Sequence, residues 1–233
     1  MSDPRAIQLI MTLRRQGIHD NAVLGALERT PREAFVEEPF AHQAWDNSAL
    51  PIACGQTISQ PYVVAYITQE LKVAPNMRVL ELGTGSGYQA AVLSPLCRKV
   101  YTIERHRPLL KQAEARFKQL KLDNVVTKHG DGFKGWPEQA PFDRIVLSAA
   151  VAEVPLILIE QLKPGGALIA PVGTVPKSND FGLPESFSQR LTRIIRTEAG
   201  YEQEELLPVV FVPMVSGVPQ EVKSPNDRVD KKT

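Results

Sequence analysis

The sequence predicts an α/β fold: a mostly parallel, doubly wound sheet with an N-terminal helical cap and an antiparallel C-terminal strand pair. Three observations lead to this prediction. A buried strand at residues 78–82 runs into a glycine-rich turn, strand-like and helix-like segments alternate from Met77 onward, and two strand-like segments near the C-terminus follow each other without a helix. Alternating strands and helices indicate a parallel sheet with helices on both faces.

Residues 1–45 predict the helical cap. Apolar residues at helical spacing indicate a helix over residues 5–16, which Gly17 ends, and shorter helices follow over residues 21–27 and from Arg32 to Pro39. Residues 46–61 are polar, bounded by prolines and without helical period, so they predict an extended loop. Loops of this length inside compact domains are usually functional.

The alternating region supplies the predicted sheet. Its strands are predicted at residues 78–82, 100–103, 125–128, 142–147 and 167–170. Its helices are predicted at residues 62–71, from the glycine turn to 96, from 108 onward, and at 155–162, before a Lys-Pro-Gly-Gly turn at 163–166. A loop is predicted at 175–188, the antiparallel pair at 191–197 and 206–212, and a flexible polar tail at 218–233. We expect residues 46–217 to form an α/β domain that is a single structural unit with the cap.

Composition bounds the class of protein. A chain of 233 residues is long enough for one large domain, and its net charge of +1 indicates neither a nucleic-acid partner nor a polybasic membrane patch. The chain lacks both an 18-residue apolar run and a signal-peptide pattern at its N-terminus. Two cysteines and four scattered histidines give no disulfide framework and no metal-ligand spacing. We therefore expect a cytoplasmic, metal-free protein without nucleic-acid or membrane partners.

The glycine-rich turn predicts a nucleoside-type site. Gly83, Gly85 and Gly87 stand at alternate positions between a strand and a helix, and the acidic Glu81 precedes them. Unpaired N–H groups at a helix start point at a ligand, and glycine lets the backbone approach it. The spacing is G-x-G-x-G rather than the dinucleotide pattern G-x-G-x-x-G, which disfavours a nicotinamide dehydrogenase. The turn resembles the cofactor loop of the Rossmann-like S-adenosylmethionine-dependent methyltransferase fold.

A second acid strengthens this prediction. Glu104 ends the next strand, about 20 residues after the first glycine, where a carboxylate in a βαβ unit reaches the ribose of a nucleoside. The alternative is a solvated acid at a strand end.

Five segments together resemble one enzyme family closely, the protein-L-isoaspartate (D-aspartate) O-methyltransferases. They are G-Q-T-I-S-Q-P-Y at 55–62, the strand and glycine loop at 79–88, H-G-D-G at 129–132, L-K-P-G-G at 162–166 and F-V-P-M at 211–214. The resemblance covers roughly residues 5–217. The glycine loop and the Pro-Gly-Gly turn are general to methyltransferases, so the segment upstream of the glycine loop is the specific signal.

The resemblance implies a repair activity. Such an enzyme transfers a methyl group from S-adenosyl-L-methionine to the free carboxylate of L-isoaspartyl and D-aspartyl residues in damaged proteins and peptides, and S-adenosyl-L-homocysteine is the product. The methyl ester closes to a succinimide, which partly reopens to normal aspartate. We expect a monomer whose partners are isoaspartyl-containing proteins.

The resemblance also implies roles for individual residues. Ser59 is the catalytic-site hydroxyl, on the substrate side. The implied cofactor-binding residues are Gln56, Thr57, Ile58, Glu81, Gly83, Thr84, Gly85, Ser86, Gly87, Glu104, Asp131 and Gly132. The implied substrate-binding residues are Ser59, Val212, Pro213, Met214 and Val215. Departures from the family pattern at residues 149–155, at Val215 and at 176–190 leave substrate affinity open.

Alternatives remain for three of these side chains. Ser59 could be a turn hydroxyl that satisfies its own backbone, and Asp131 could form an Asx turn with or without a ligand contact. Cys54 lies close enough in sequence to be considered as a nucleophile, but a small semi-buried side chain is favoured. No histidine neighbours it in the sequence.

The chemistry of the implied reaction fits this residue set. A carboxylate nucleophile with an ordinary pKa of about 4 is ionised at pH 7 and needs no general base. A methyltransferase acting on a small-molecule hydroxyl would need a base or a metal, for which the sequence offers no clear candidate. A third possibility is a cofactor- or peptide-binding protein without turnover.

Overall fold

The structure is a computed structural model that describes residues 3–174 and 189–219. Its strands are β1 Leu50–Ile52, β2 Gln56–Ile58, β3 Arg78–Leu82, β4 Lys99–Glu104, β5 Val125–His129, β6 Phe142–Leu147, β7 Leu162–Gly173, β8 Gln189–Arg196 and β9 Tyr201–Val209. Its α-helices are α1 Pro4–Arg15, α2 Asn21–Arg29, α3 Pro61–Glu70, α4 Tyr88–Leu93, α5 Arg107–Gln119 and α6 Leu156–Glu160. The loop predicted at 175–188 and nearly all of the predicted tail lie outside the described residues.

A seven-stranded sheet in the order β5-β4-β3-β6-β7-β8-β9 organises the described chain. The strands from β5 to β7 pair in parallel, and β8 and β9 add to β7 as antiparallel strands. β4 and β5 are added on one side of β3, and the chain then crosses over to place β6 on the other side of β3. The strand order therefore reverses between β3 and β6. This topology confirms the predicted fold class, and it predicts a ligand crevice at the carboxyl ends of the central strands.

Alternate residues of the central strands pack against opposite layers. Val79 and Val100 join a buried cluster with residues of α1 to α5, whereas Leu80 and Tyr101 join a second cluster with residues of α6. Because a strand side chain points to the opposite face at each successive position, this division shows that both faces of the sheet are covered. Leu13 of the cap belongs to the same cluster as Val79, so packing is continuous from the cap to the sheet.

The extended loop predicted at residues 46–61 is wrong in part, because this segment contains a small hairpin. β1 and β2 pair antiparallel with Leu50 opposite Ile58 and Ile52 opposite Gln56. A 3-10 turn at Ala53–Gly55 joins the two strands, and Cys54 within it has φ of +60°. Three-residue strands are too short to show an alternating pattern in the sequence, which explains the missed prediction.

The end of helix α6 and the start of strand β7 also differ from the prediction. Helix α6 ends at Glu160 rather than Leu162, and β7 takes in the Lys-Pro-Gly-Gly segment with a register shift between Phe142 and Arg144 on its partner β6. The pairing with β6 passes from Leu162, opposite Phe142, to Ala167, opposite Arg144, so the Lys-Pro-Gly-Gly residues between them have no partner in the sheet.

Strand β9 begins at Tyr201 and ends at Val209, so the predicted boundaries of 206–212 are wrong. Its acidic first half pairs with basic residues of β8: Arg193 Nη2 lies 2.5 Å from Glu204 Oε2, and Arg190 Nε lies 2.7 Å from Glu205 Oε2. Cross-strand ion pairs of this kind favour strand formation where the intrinsic preference of glutamate does not.

Candidate active site

A cavity of about 350 Å³ lies at the carboxyl ends of β3, β4 and β6, where the sheet topology reverses. Its wall includes the residues that follow these strands, the segment from Gly55 to Ser59, and the segment from Val212 to Val215. Sites for cofactors and small molecules typically span about 300–1,000 Å³. The cavity therefore has the position and the size that a nucleoside cofactor requires.

The three glycines of the loop after β3 have positive φ angles and different surroundings. Gly83 and Gly85, with φ of +96° and +54°, line the cavity. Gly87, with φ of +92°, does not line it; a Cβ there would lie 2.8 Å from Phe117 Cε1 and 3.2 Å from Ala113 Cβ. The first two glycines thus open the loop toward a ligand, and the third lets α4 start against α5.

Glu104 is nearly fully buried, and its carboxylate holds the glycine loop. Oε2 accepts a 2.8 Å hydrogen bond from the Gly85 N–H, and Oε1 accepts a 2.9 Å bond from the His106 N–H. Glu104 lines the cavity, so it is not the solvated acid that the alternative described. A carboxylate oxygen can accept more than one hydrogen bond, so these contacts leave its predicted contact with a ribose open.

Glu81 is a fully buried acid in the cavity wall. The Thr102 hydroxyl donates a 2.6 Å hydrogen bond to Oε2 and lies 2.6 Å from the Thr84 hydroxyl, while Oε1 has no hydrogen-bond partner among the described residues. Burial raises the pKa of Glu81 to about 8; the Thr102 hydrogen bond opposes this shift and the nearby Glu104 charge adds to it. A buried carboxyl with a free oxygen suits a ligand that brings a cation or a hydrogen-bond donor.

Asp131 and Gly132 follow β5 at the rim of the site. Asp131 accepts hydrogen bonds from the Phe133 and Gly217 N–H groups, at 2.9 and 2.8 Å, and does not line the cavity. The Asx turn that the sequence allowed is therefore present, and the adenine contact stays a prediction. Gly132 does line the cavity, and a Cβ there would lie 2.6 Å from Met214 Cε.

The segment that includes β2 brings Gln56, Thr57, Ile58 and Ser59 to the cavity, and β1 lies close to the glycine loop, because a Cβ on Gly85 would lie 3.7 Å from Ile52 Cδ1. The cap holds this hairpin: the Ala53 N–H donates a 2.8 Å hydrogen bond to Glu37 Oε1. Cys54 is exposed at the hairpin turn, so the favoured prediction of a semi-buried side chain is wrong. It does not line the cavity, so the geometry gives it no place in the reaction.

The segment that follows β9 forms another part of the cavity wall. Val212, Pro213, Met214 and Val215 all line the cavity. Ala150 holds this segment from both directions, because its N–H donates to Val212 O at 2.8 Å and its carbonyl accepts from the Met214 N–H at 2.7 Å. All of the predicted substrate-side residues therefore line the same cavity as the predicted cofactor-side residues other than Gly87 and Asp131.

Several cavity residues were not named from the sequence. Ser148 and Ala149 follow β6, Arg105 and His106 follow Glu104, and Tyr88 begins α4. The signal for most of them was available, since residues just past the ends of central parallel strands line the ligand crevice of such sheets. Among the described residues, no group of three histidine, cysteine or acidic side chains could hold a metal ion. In the same part of the chain, no helix is long and apolar enough to cross a membrane.

The fold and the G-x-G-x-G loop together define the class of the chain, the S-adenosylmethionine-dependent methyltransferases. Comparison with known proteins narrows this class. A family model described as protein-L-isoaspartate(D-aspartate) O-methyltransferase (PCMT) matches residues 5–219. The chain belongs to this family.

Individual relatives agree with the family. The protein-L-isoaspartate O-methyltransferase of Parvibaculum lavamentivorans is 58% identical over 215 residues, which are 92% of this chain and 93% of that one. The protein of the same name from Paramagnetospirillum magneticum is 53% identical over 220 residues, or 94% and 99% of the two chains. A Plasmodium falciparum structure that carries the PCMT name and was solved in complex with S-adenosyl-L-homocysteine superposes with a TM-score of 0.73 at 25% identity, and covers 89% of this chain and 97% of that one.

Proposed function

We propose that this chain transfers a methyl group from S-adenosyl-L-methionine to the free carboxylate of L-isoaspartyl, and D-aspartyl, residues in damaged proteins and peptides. The observation that carries the proposal is that residues 55–59 and the glycine loop line one cavity, in a chain 53–58% identical to relatives named for this activity. The ester product leads through a succinimide to repaired aspartate.

The residues present fit the cofactor. Gly83, Thr84, Gly85 and Ser86 form a cradle on one wall, and the free buried oxygen of Glu81 offers an acceptor for an ammonium group. Glu104 accepts hydrogen bonds from the ribose hydroxyls. Gly132 and the neighbouring Asp131 lie toward the adenine. Gln56, Thr57 and Ile58 border the cofactor from the hairpin side, and Gly87 supports the loop through its packing on α5. When bound, the cofactor supplies an electrophilic methyl group.

The substrate side needs no general base. An isoaspartyl carboxylate is ionised at neutral pH, so the protein must hold it in line with the methyl group and exclude water. The Ser59 hydroxyl donates a charge-assisted hydrogen bond to one carboxylate oxygen without competing as a nucleophile. The segment from Val212 to Val215 covers the peptide.

The proposal also covers the oligomeric state of the protein and its cellular compartment. A near-neutral net charge of +1 fits substrates chosen by a local chemical lesion rather than by long-range charge. We expect a cytoplasmic monomer that acts on isoaspartyl-containing proteins without a nucleic-acid or membrane partner.

The test uses one peptide in two forms, isoaspartyl and aspartyl, with labelled S-adenosyl-L-methionine. We expect label in the isoaspartyl peptide alone. The Ser59→Ala variant should lose kcat by about tenfold or more while it binds S-adenosyl-L-homocysteine as the wild type does, because removal of one hydrogen bond to a charged group costs about 1.5–3 kcal/mol. Cys54→Ser is the matched hairpin control and should keep wild-type kinetics. Cofactor binding without label in either peptide would reject isoaspartyl specificity and leave a methyltransferase for another acceptor.

A further inference from the structure

Arg32 is a buried arginine in the cap whose position the proposed reaction does not explain. It begins the 3-10 helix Arg32–Phe35, and its exposed fraction is 0%. No carboxylate of the described residues forms an ion pair with it, and its Nε and Nη1 atoms have no hydrogen-bond partner there. Burial lowers its pKa. A buried cation without a counterion is costly for folding, so it calls for a functional reason.

The contacts of Arg32 lead to the hairpin. Its Nη2 donates a 2.9 Å hydrogen bond to the carbonyl oxygen of Ser59 and a 3.2 Å bond to that of Ser48. Ser48 precedes β1 and Ser59 follows β2, so one nitrogen joins the two ends of the hairpin. Hydrogen bonds from a charged donor are stronger than neutral ones, which suits a group that holds backbone in place.

A third contact leads to the glycine loop. The guanidinium carbon lies 4.7 Å from the centroid of the Tyr88 ring, and Phe35 packs edge-on to the same ring at 5.5 Å. Tyr88 is the first residue of α4, directly after Gly87, and lines the cavity. Arg32 thus contacts both walls of the cavity, the hairpin that carries Ser59 and the helix that follows the glycine loop, although it does not line the cavity itself.

We infer that Arg32 is a positioning residue for methyl transfer, one that sets the Ser59 backbone, and therefore its hydroxyl, relative to the cofactor wall. The inference rests on the proposed role of Ser59. A hairpin of two three-residue strands has few internal hydrogen bonds, so its placement depends on external ties. Glu37, which accepts a hydrogen bond from the Ala53 N–H, is a second residue of the cap that holds the hairpin. Displacement of a reacting group by about 1 Å can cost about 100-fold in rate, so loss of the Ser59 tie should appear in kcat.

The test compares Arg32→Met, Arg32→Lys and the control Arg29→Met. Methionine fills similar space without charge, whereas lysine keeps the charge and a donor but not the planar fork. Arg29 is exposed at the end of α2, three residues away. For each variant we would measure kcat and KM with the isoaspartyl peptide, the Kd of S-adenosyl-L-homocysteine, and the thermal midpoint.

A positioning role predicts a distinct pattern. Arg32→Met should lower kcat at least about tenfold while the Kd of S-adenosyl-L-homocysteine stays within about twofold, Arg32→Lys should recover part of the loss, and Arg29→Met should match the wild type. Wild-type kcat in folded Arg32→Met, or a Kd that weakens in parallel with kcat, would overturn the inference.

Two further outcomes are also decisive. Should Arg32→Met fail to fold, Arg32→Lys decides alone: a lowered kcat at unchanged Kd supports the role, and wild-type kcat rejects it. A wild-type protein that labels neither peptide rejects the proposed function and the inference with it, whereas an active wild type with active variants rejects only the inference.

Discussion

Replacement of Glu104 by glutamine should destabilise the protein even when no cofactor is present. The carboxylate is 4% exposed and accepts hydrogen bonds from the Gly85 and His106 N–H groups at 2.8 and 2.9 Å. Glutamine keeps the shape and one acceptor oxygen, but its amide nitrogen would then face a backbone N–H. Leaving a buried donor unpaired costs about 1–3 kcal/mol, so we expect the free energy of unfolding to fall by about that amount.

The same change should also weaken cofactor binding. Without the hydrogen bond to Glu104, the backbone at Gly85 must be ordered again when the cofactor binds, and the proposed ribose contact loses its charge. We therefore expect the Kd of S-adenosyl-L-homocysteine to rise at least about tenfold, or about 1.4 kcal/mol. Alanine is a poorer probe, because loss of both hydrogen bonds removes a large part of a total stability of about 5–15 kcal/mol.

Urea unfolding of the ligand-free variant and calorimetric titration with S-adenosyl-L-homocysteine separate the two effects. Glu202→Gln, at an exposed position of β9, is the control for a glutamate-to-glutamine change and should alter neither quantity. If the unfolding free energy of Glu104→Gln matches the wild type, the carboxylate does not hold the loop as the hydrogen bonds indicate. If only the stability changes and the Kd does not, the ribose role is rejected.

Two other changes test the same region. Burial raises the pKa of Glu81 from 4.5 to about 8, so its contribution to stability is present below about pH 4.5 and is lost as the pH rises through about 8. Glu81→Gln should flatten that decline in urea unfolding between pH 5 and 8, and an unchanged pH profile would show that the carboxyl is not protonated in the fold. Gly87→Ala should destabilise by about 2–4 kcal/mol, since it combines a positive φ with a Cβ 2.8 Å from Phe117. The free energy of unfolding measured for Gly87→Ala alone and for Gly87→Ala combined with Phe117→Leu checks this. The second change should relieve the contact with Phe117 but not the cost of the positive φ.

The parallel core of the fold was predictable because its strands carry strong local patterns. β3 and β6 contain short apolar stretches, Val79-Leu80 and Ile145–Leu147, that are buried on both faces of the sheet. The cavity residues after these strands follow from the sheet topology. β9 lacked such a pattern. Its first half is glutamate-rich and is held by arginines of β8, so its boundaries depend on a cross-strand partner that local propensity does not contain.

The acids of the site show a second limit of sequence analysis. Spacing placed Glu104 and Asp131 at strand ends, but a carboxylate there can accept from a ligand or from neighbouring backbone N–H groups. The structure shows both side chains bonded to backbone, Glu104 inside the cavity wall and Asp131 outside it. An acid that accepts a hydrogen bond from a ligand and one that accepts it from the backbone have the same residue type and the same spacing. Only the three-dimensional surroundings of the carboxylate distinguish these two roles.

The cap is the part of the site that the sequence could not connect to the chemistry. Arg32 and Glu37 lie in a segment without strand pattern or motif, and their hydrogen bonds reach the Ser59 carbonyl and the Ala53 N–H, 27 and 16 residues away. Because these bonds go to main-chain atoms, the side chains of the hairpin give no sign of them. The reaction needs no general base and depends on alignment, so the rigidity of the hairpin matters as much as the Ser59 hydroxyl it carries. The cap also shares one buried core with the sheet, so its packing adds to the hydrogen bonds that hold the hairpin in place.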